Sequence, residues 1–173
     1  LFEALWPLPL GVSYNAYVVC GERTALIDTV DACFTGRLLA NVRERLGDRP
    51  LDYLVINHME PDHSASIAAV RQVYPDVKIV GNAKTLQMVE GYYGITGGTV
   101  EVKEGATLDL GGLTLSFCMI PMVHWPETMA TWCAEERTLF SGDAFGTFGA
   151  LNGGVTDEQL DIEPFWEEMR RYY

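Results

Sequence analysis

The chain has 173 residues, of which 48% are hydrophobic and 21% charged, values typical of a globular domain with a sizeable core. Its formal net charge of −12 argues against a surface for nucleic acid or an anionic membrane. No apolar run approaches the length of a membrane span, so we expect neither kind of partner.

The predicted elements alternate between strands and helices. A proline-rich segment at 6–10 leads into a hairpin, since Gly21–Arg23 reads as a turn between two apolar runs. The predicted strands cover 14–20, 24–28, 51–56, 77–80, 100–103, 107–110, 113–119, 129–134 and 138–141. The predicted helices cover 35–46, 64–74 and 83–92; the glycine-rich stretch 146–154 is expected to be irregular, and a last helix to begin at 165. This order predicts an α/β fold in which helices cover layered sheets.

The cysteines give a weak indication of the compartment. Cys20, Cys118 and Cys133 lie in apolar, strand-like runs, which predicts buried and reduced thiols. No two cysteines form a Cys-x-x-Cys pair, and their spacing matches no zinc finger. Reduced thiols favour a cytoplasmic location.

The stretch 57–64 carries the chemistry of the chain, because it holds His58, Glu60, Asp62 and His63 within six residues. It follows a predicted buried strand and precedes a predicted helix. Pro61 is expected to keep a helix from forming across the cluster, so the four side chains are predicted on a loop. Open α/β sheets place their sites at this end of a strand.

Imidazole and carboxylate together suit iron, manganese or zinc. Four such groups on one short loop can converge only if a cation offsets their charge and desolvation. A polar surface loop with two solvated histidines is the alternative interpretation. The full pattern His-x-Glu-x-Asp-His favours the metal site.

Two further residues are candidate ligands. His124 follows the strand predicted at 113–119, in a loop fixed by two prolines; a core histidine packed on Trp125 is the alternative. Asp143 follows the strand predicted at 138–141; an ordinary turn aspartate is the alternative. A carboxylate can bridge two cations held about 3.5–4 Å apart.

These residues and their flanks resemble the metallo-β-lactamase-like domain of the flavodiiron proteins. The similarity includes Gly11 to Asn15, Asn57 to Ser64, His124-Trp125-Pro126-Glu127 and Ser141 to Gly146, and it covers essentially the whole chain. It implies an αββα sandwich with a non-haem diiron centre. By motif position, His58, Glu60 and His124 bind the first iron, Asp62 and His63 bind the second, and Asp143 bridges the two.

The resemblance also implies an activity and partners. The family reduces dioxygen to water, nitric oxide to nitrous oxide, or both. Its electrons come from FMN in a flavodoxin-like domain of the same polypeptide, supplied by a donor such as rubredoxin, and head-to-tail homodimers bring FMN next to the irons. The sequence does not distinguish dioxygen from nitric oxide as the substrate.

The chain departs from the family in one respect. The family's second iron has one more histidine ligand, whereas the three histidines of this chain are all assigned. We therefore expect 1–173 to be a partial metallo-β-lactamase-like domain, incomplete at its C-terminus, with no flavodoxin-like domain and no FMN bound by this segment alone. An inactive fragment is one alternative.

The other alternative is a zinc hydrolase of the same superfold. Such hydrolases read His-x-His-x-Asp-His, a nitrogen-rich site suited to zinc. Glu60 instead adds negative charge and a hard oxygen, which favour ferric iron and lower its reduction potential. Glu60 therefore favours the oxidoreductase.

Overall fold

The structure is a computed structural model that describes residues 11–146, 149–150, 154, 157–159, 161, 163, 166 and 170. The predicted segment at 6–10, and most of both the stretch 146–154 and the helix expected from 165, lie outside these residues. The chain forms two compact units, one of residues 15–142 and one that combines 1–14 with 143–173. In the second unit the described residues include a turn at 143–146 and a 3-10 helix, Asp157–Gln159.

The larger unit begins with a five-stranded sheet in the order β1 to β5. Its strands are β1 Tyr17–Cys20, β2 Thr24–Ile27, β3 Tyr53–Val55, β4 Lys78–Gly81 and β5 Thr99–Glu101. β1 and β2 pair antiparallel, which confirms the predicted hairpin, and the other neighbours pair parallel. Because the parallel strands all end at one edge of the sheet, the loops that follow them lie close together.

Four α-helices accompany this sheet: α1 Thr35–Leu46, α2 Pro61–Ser64, α3 Ile67–Val73 and α4 Ala83–Tyr93, with a 3-10 helix at Ala32–Phe34 before α1. In α1, Leu38, Val42 and Leu46 are buried on one face, four residues apart. The helix ends at Gly47, whose φ of 57° favours glycine. The prediction of α1 is confirmed at both ends.

The start of α4 also follows its sequence signal. Asn82 caps the helix, and its Oδ1 accepts hydrogen bonds from the amides of Lys84 and Thr85, each at 3.1 Å. Gly94 ends the helix in a left-handed conformation.

One prediction about the stretch 57–64 is wrong. Pro61 does not prevent a helix there, but occupies the first position of α2, the one-turn helix that contains Asp62 and His63. Proline is accommodated at this position because its missing N–H would have no partner inside the helix in any case. His58 and Glu60 remain on the preceding loop, as predicted.

The second sheet contains β6 Thr107–Asp109, β7 Thr114–Met119, β8 Met129–Cys133 and β9 Thr138–Phe140, all antiparallel and in sequence order. The hydrophobic core lies between the two sheets, where Val55 and Val80 of the first sheet join Leu115, Phe117 and Met129 of the second. The unit thus has a layer of helices, a mixed sheet and an antiparallel sheet, consistent with a metallo-β-lactamase-like fold.

Side chains on the outer face of the second sheet are more exposed. Trp132 and Leu139, paired across β8 and β9, both point to this face. Cys118 and also Cys20 of the first sheet are exposed, so their predicted burial is wrong; each lies on the alternate, outward-facing side of its strand. All four cysteines are free. Among the described helices, none has the length and apolar content that a membrane span requires.

Candidate metal centre

Three predicted ligands from two distant loops meet at one point. Glu60 Oε2 lies 3.2 Å from His58 Nε2 and 2.7 Å from His124 Nε2, and the two imidazole nitrogens are 3.2 Å apart. His58 and Glu60 follow β3, whereas His124 lies between β7 and β8. Folding therefore joins groups 66 residues apart, with each contributing one donor atom.

The spacing of these three atoms matches the ligands of a single ion. With metal–ligand bonds of about 2.1 Å, adjacent ligand atoms lie about 3.0 Å apart at a right angle and about 3.4 Å apart at the tetrahedral angle. The observed separations of 2.7–3.2 Å fall near this range. Two histidines and one carboxylate that leave positions open are the donor set of non-haem iron sites.

The protonation of His58 supports the same conclusion. Its Nδ1 lies 2.9 Å from a buried carboxylate oxygen of Glu127, which as a carboxylate accepts and does not donate. With the proton on Nδ1, the lone pair of Nε2 points at Glu60 and His124. Lone pairs directed at a common point are stabilised by a cation, so the residues present fit a metal ion.

Asp62 and His63 lie on the one-turn helix α2, which places both side chains near His58, Glu60 and His124. His63 Nε2 is 3.6 Å from Asp62 Oδ2, and the rings of His58 and His63 are 5.3 Å apart between centroids. Asp28 approaches His63 from the other side, with its Oδ2 3.7 Å from His63 Nδ1. The structure thus brings five of the six predicted ligands into one region of the larger unit.

The sixth, Asp143, belongs to the other compact unit, where its carbonyl accepts a hydrogen bond from the Gly146 amide at 2.8 Å. Its bridging role stays a prediction.

Asn57 anchors the first ligand loop to the second sheet. Its Nδ2 donates to the carbonyl of Phe140 in β9 at 3.0 Å, and its Oδ1 accepts from the hydroxyl of Thr131 in β8 at 2.7 Å. Its carbonyl also accepts from the Met129 amide at 2.9 Å. Since Asn57 directly precedes His58, these bonds set where the ligand loop leaves β3.

The far end of the same loop is tied to helix α4. Ser64 Oγ donates to the carbonyl of Met59 at 2.8 Å, and the Tyr93 hydroxyl donates to the carbonyl of Ser64 at 2.9 Å. Burial raises the pKa of the Tyr93 hydroxyl above its ordinary value. The loop therefore has fixed contacts at both ends, as a site that holds ligands in place requires.

The loop of His124 is closed by its own hydrogen bonds. The Met122 amide donates to the carbonyl of Trp125 at 2.8 Å, and Thr128 Oγ1 donates to the same carbonyl at 2.9 Å. The Trp125 ring lies edge-on to the His58 ring, with centroids 5.2 Å apart. Trp125 thus packs against the other ligand loop as well as its own.

Glu127 also belongs to the site, although no role for it was predicted from the sequence. Its side chain is fully buried beside His58, and Oε1 also accepts the Met59 amide at 2.9 Å. Burial acts to raise the pKa of this carboxyl, but the hydrogen bonds from His58 and Met59 outweigh it and lower the pKa below its ordinary value. The available signal was its place three residues after His124, within a flank that was already part of the resemblance.

The chain is similar to known proteins along almost its whole length. Residues 12–173 match the family described as "ODP family beta lactamase". The rubredoxin-oxygen oxidoreductase of Megalodesulfovibrio gigas is 36% identical over 166 residues, covering 95% of this chain and 41% of the relative. The nitric oxide reductase of Moorella thermoacetica is 35% identical over 164 residues, covering 94% of this chain and 41% of the relative.

Solved structures give the same result. The rubredoxin oxygen:oxidoreductase from Desulfovibrio gigas superimposes with a TM-score of 0.87 at 35% identity, covering 96% of this chain and 41% of that one. The flavodiiron protein from Giardia intestinalis superimposes with a TM-score of 0.86 at 29% identity, again over 96% and 41%. The chain therefore spans about two fifths of the length of the relatives that it matches.

Proposed function

The chain belongs to the ODP beta lactamase family, and on that premise we propose that it is the metal-binding part of a diiron oxidoreductase that reduces dioxygen, nitric oxide or both. The observation that carries the proposal is the convergence of His58 Nε2, Glu60 Oε2 and His124 Nε2 at the spacing of one ion's ligands. The names of the relatives support both substrates, since one is an oxygen oxidoreductase and another a nitric oxide reductase.

In this proposal His58, Glu60 and His124 hold the first iron. Asp62 and His63 provide ligands to the second iron, and Asp143 bridges the pair. When bound, the two irons would pass on electrons that FMN resupplies. One dioxygen takes four electrons and four protons to give two waters, whereas two nitric oxide molecules take two electrons and two protons to give one nitrous oxide and one water. Three terminal ligands and one bridging carboxylate would leave positions open on the first iron for the diatomic substrate.

Glu60 tunes the site for redox chemistry. A carboxylate adds negative charge next to the metal and so stabilises the ferric state relative to the ferrous state. A third imidazole at this position would give a nitrogen-rich site of the kind that zinc hydrolases use. The choice of residue at position 60 is therefore the chemical feature that separates an oxidoreductase from a hydrolase of the same fold.

The partners in the proposal follow from the relatives and the resemblance. Electrons come from FMN in a flavodoxin-like domain, and a rubredoxin-type protein supplies them, as the name of the Megalodesulfovibrio gigas relative indicates. A head-to-tail homodimer brings the FMN of one protomer to the irons of the other. A cytoplasmic location completes the proposal.

The test begins with the metal content of the chain purified without added metal, in wild type, Glu60→His and Glu44→His. Glu44 is an exposed glutamate on α1, so its variant controls for the added imidazole. We expect iron in wild type and Glu44→His, and a shift toward zinc in Glu60→His. Zinc alone in wild type, retained in Glu60→His, would refute the oxidoreductase and favour the hydrolase.

Activity is measured separately. Iron-loaded chain is given reduced FMN as an artificial donor, and the loss of dioxygen or nitric oxide is followed with an electrode. Consumption that exceeds the rate of free reduced FMN, and that falls in Glu60→His but not in Glu44→His, is the expected result. An iron-loaded wild type with no excess consumption of either gas would contradict reductase activity in this chain.

A further inference from the structure

The Glu127 carboxylate lies behind His58, on the opposite side of the ring from the ligand nitrogen. Oε1 is 2.9 Å from His58 Nδ1 and also accepts the Met59 amide at 2.9 Å. Both side chains, Glu127 and His58, are fully buried. Since water does not compete for these bonds, their geometry is well defined.

This contact selects one protonation form of the ring. A carboxylate acceptor at Nδ1 holds the proton there and leaves the Nε2 lone pair directed at the cluster. Thr128 Oγ1 also lies near Nδ1, but at 3.3 Å, and its own proton goes to the Trp125 carbonyl. Glu127 is therefore the stronger acceptor of the two.

Glu127 also joins the two segments that carry ligands. It lies three residues after His124, and its carboxylate holds the backbone of the other ligand loop through the Met59 amide. Its own carbonyl accepts a hydrogen bond from Asn82 Nδ2 at the start of α4. A single residue thus connects the ligand loop after β3, the loop before β8 and a helix terminus.

We propose that Glu127 is a positioning residue for the metal centre, which fixes the Nδ1–H form and the orientation of His58 and joins the two ligand loops. The inference rests on the proposed function only in that His58 binds a metal through Nε2. Carboxylates that hold a ligand histidine in this way raise metal affinity by about 10–100-fold.

The first test is the zinc affinity of the metal-free chain, measured by competition with a chromophoric chelator. Zinc serves as a redox-inactive probe of the three-ligand site. We expect Glu127→Leu, which removes the acceptor, to weaken binding about 10–100-fold. Glu127→Gln keeps a carbonyl acceptor for Nδ1–H and should weaken binding less.

The matched control is Glu104→Gln. Glu104 is exposed, and its Oε2 accepts a backbone amide, that of Met119, at 2.6 Å. This substitution removes a carboxylate that is bound to a backbone amide but not to a histidine, so zinc affinity should equal that of wild type.

A second readout reports the hydrogen bond itself. In the zinc-loaded chain the Nδ1–H proton of His58 should give a slowly exchanging signal, shifted far downfield, in a ¹H–¹⁵N spectrum of the imidazoles. The chain has only three histidines, so the signal can be assigned by substitution. We expect it in wild type and Glu104→Gln, at a less downfield position in Glu127→Gln, and not in Glu127→Leu.

The outcomes separate this inference from the proposed function. A wild type that binds no zinc or iron would overturn the metal centre and the inference together. A wild type that binds zinc, with Glu127→Leu within twofold of it or with the Nδ1–H signal unchanged, would overturn the inference alone. If circular dichroism shows that Glu127→Leu does not fold, Glu127→Gln decides, because an unmoved signal and an unchanged affinity there refute the role.

Discussion

Asn57 offers the sharpest test of how the ligand loop is held. The side chain is fully buried, and its two polar atoms bond to Thr131 Oγ1 and to the Phe140 carbonyl on neighbouring strands of the second sheet. Asn57→Ala removes both bonds and leaves the Thr131 hydroxyl and the Phe140 carbonyl without their partner. The change touches no metal ligand, so its effect on stability can be measured in the metal-free chain.

The expected loss follows from these contacts. Each lost hydrogen bond reduces the free energy of unfolding by about 1 kcal/mol, and a buried group left unsatisfied costs about 1–3 kcal/mol. Asn57→Ala breaks two bonds and leaves two groups unsatisfied, so we expect it to lower the free energy of unfolding by at least about 4 kcal/mol. Thr131→Val breaks only one bond, so its expected loss is about 2 kcal/mol.

The measurement is urea unfolding followed by circular dichroism with a chelator present. The double variant Asn57→Ala with Thr131→Val should lose less than the sum of the two single variants by about 3 kcal/mol, since the shared bond is lost only once and neither of its atoms is left unsatisfied. Asn41→Ala on the exposed side of α1 is the control and should stay within about 0.5 kcal/mol of wild type. A loss below about 1 kcal/mol for Asn57→Ala, or strict additivity, would refute the reasoning.

Two further predictions concern the backbone and the pH dependence. A Cβ at Gly21 would lie 2.5 Å from the Leu110 carbonyl oxygen, so Gly21→Ala should lower the free energy of unfolding, measured in urea, by about 1–3 kcal/mol. Gly36 in α1 has open space around it, so Gly36→Ala should raise the free energy of unfolding by about 0.5–1 kcal/mol. Equal effects of the two substitutions would contradict the contact at Gly21. The folded protein holds the Tyr93 proton to higher pH than the unfolded chain, whose tyrosines titrate near about 10, so stability should fall as the pH rises through 10. Tyr93→Phe removes the hydrogen bond to Ser64, so its free energy of unfolding at neutral pH should be about 1 kcal/mol lower than that of wild type. Its stability should, however, fall less steeply than that of wild type as the pH rises above about 10. If thermal unfolding shows the same decrease with pH in both proteins, Tyr93 is not the group responsible.

Much of the fold could be predicted from local patterns. The helix α1 has the same bounds in the sequence analysis and the structure because its apolar spacing and Gly47 both mark it. Strand positions were also close, although most strands are shorter than predicted, since an apolar run continues past the last ladder hydrogen bond. The exposure of Cys20 and Cys118 depends on which side of a strand faces the core, and a short apolar run does not reveal that side.

The candidate site also contains residues that a local pattern predicts and residues that it does not. The ligand-type residues are visible as a motif because they lie close together in sequence or near a strand end. Glu127 and Asn57 are polar residues beside that motif, and what distinguishes them is a buried partner 69 or more positions away. Such pairings arise only when the two sheets pack, so no local pattern predicts them.

The ligand atoms come from both sheets, so metal binding and the packing of the two sheets are coupled. His58 and Glu60 leave the first sheet, whereas His124 comes from the second, 66 residues later. An ion that binds all three atoms therefore binds the state in which the two sheets are docked. By linkage, the free energy by which the ion stabilises docking equals the free energy by which docking strengthens ion binding. A substitution such as Leu115→Ala, which changes no ligand but lies inside the core between the sheets, should for that reason raise the dissociation constant of the metal. A change in metal affinity therefore reports a change in the stability of the packing between the two sheets.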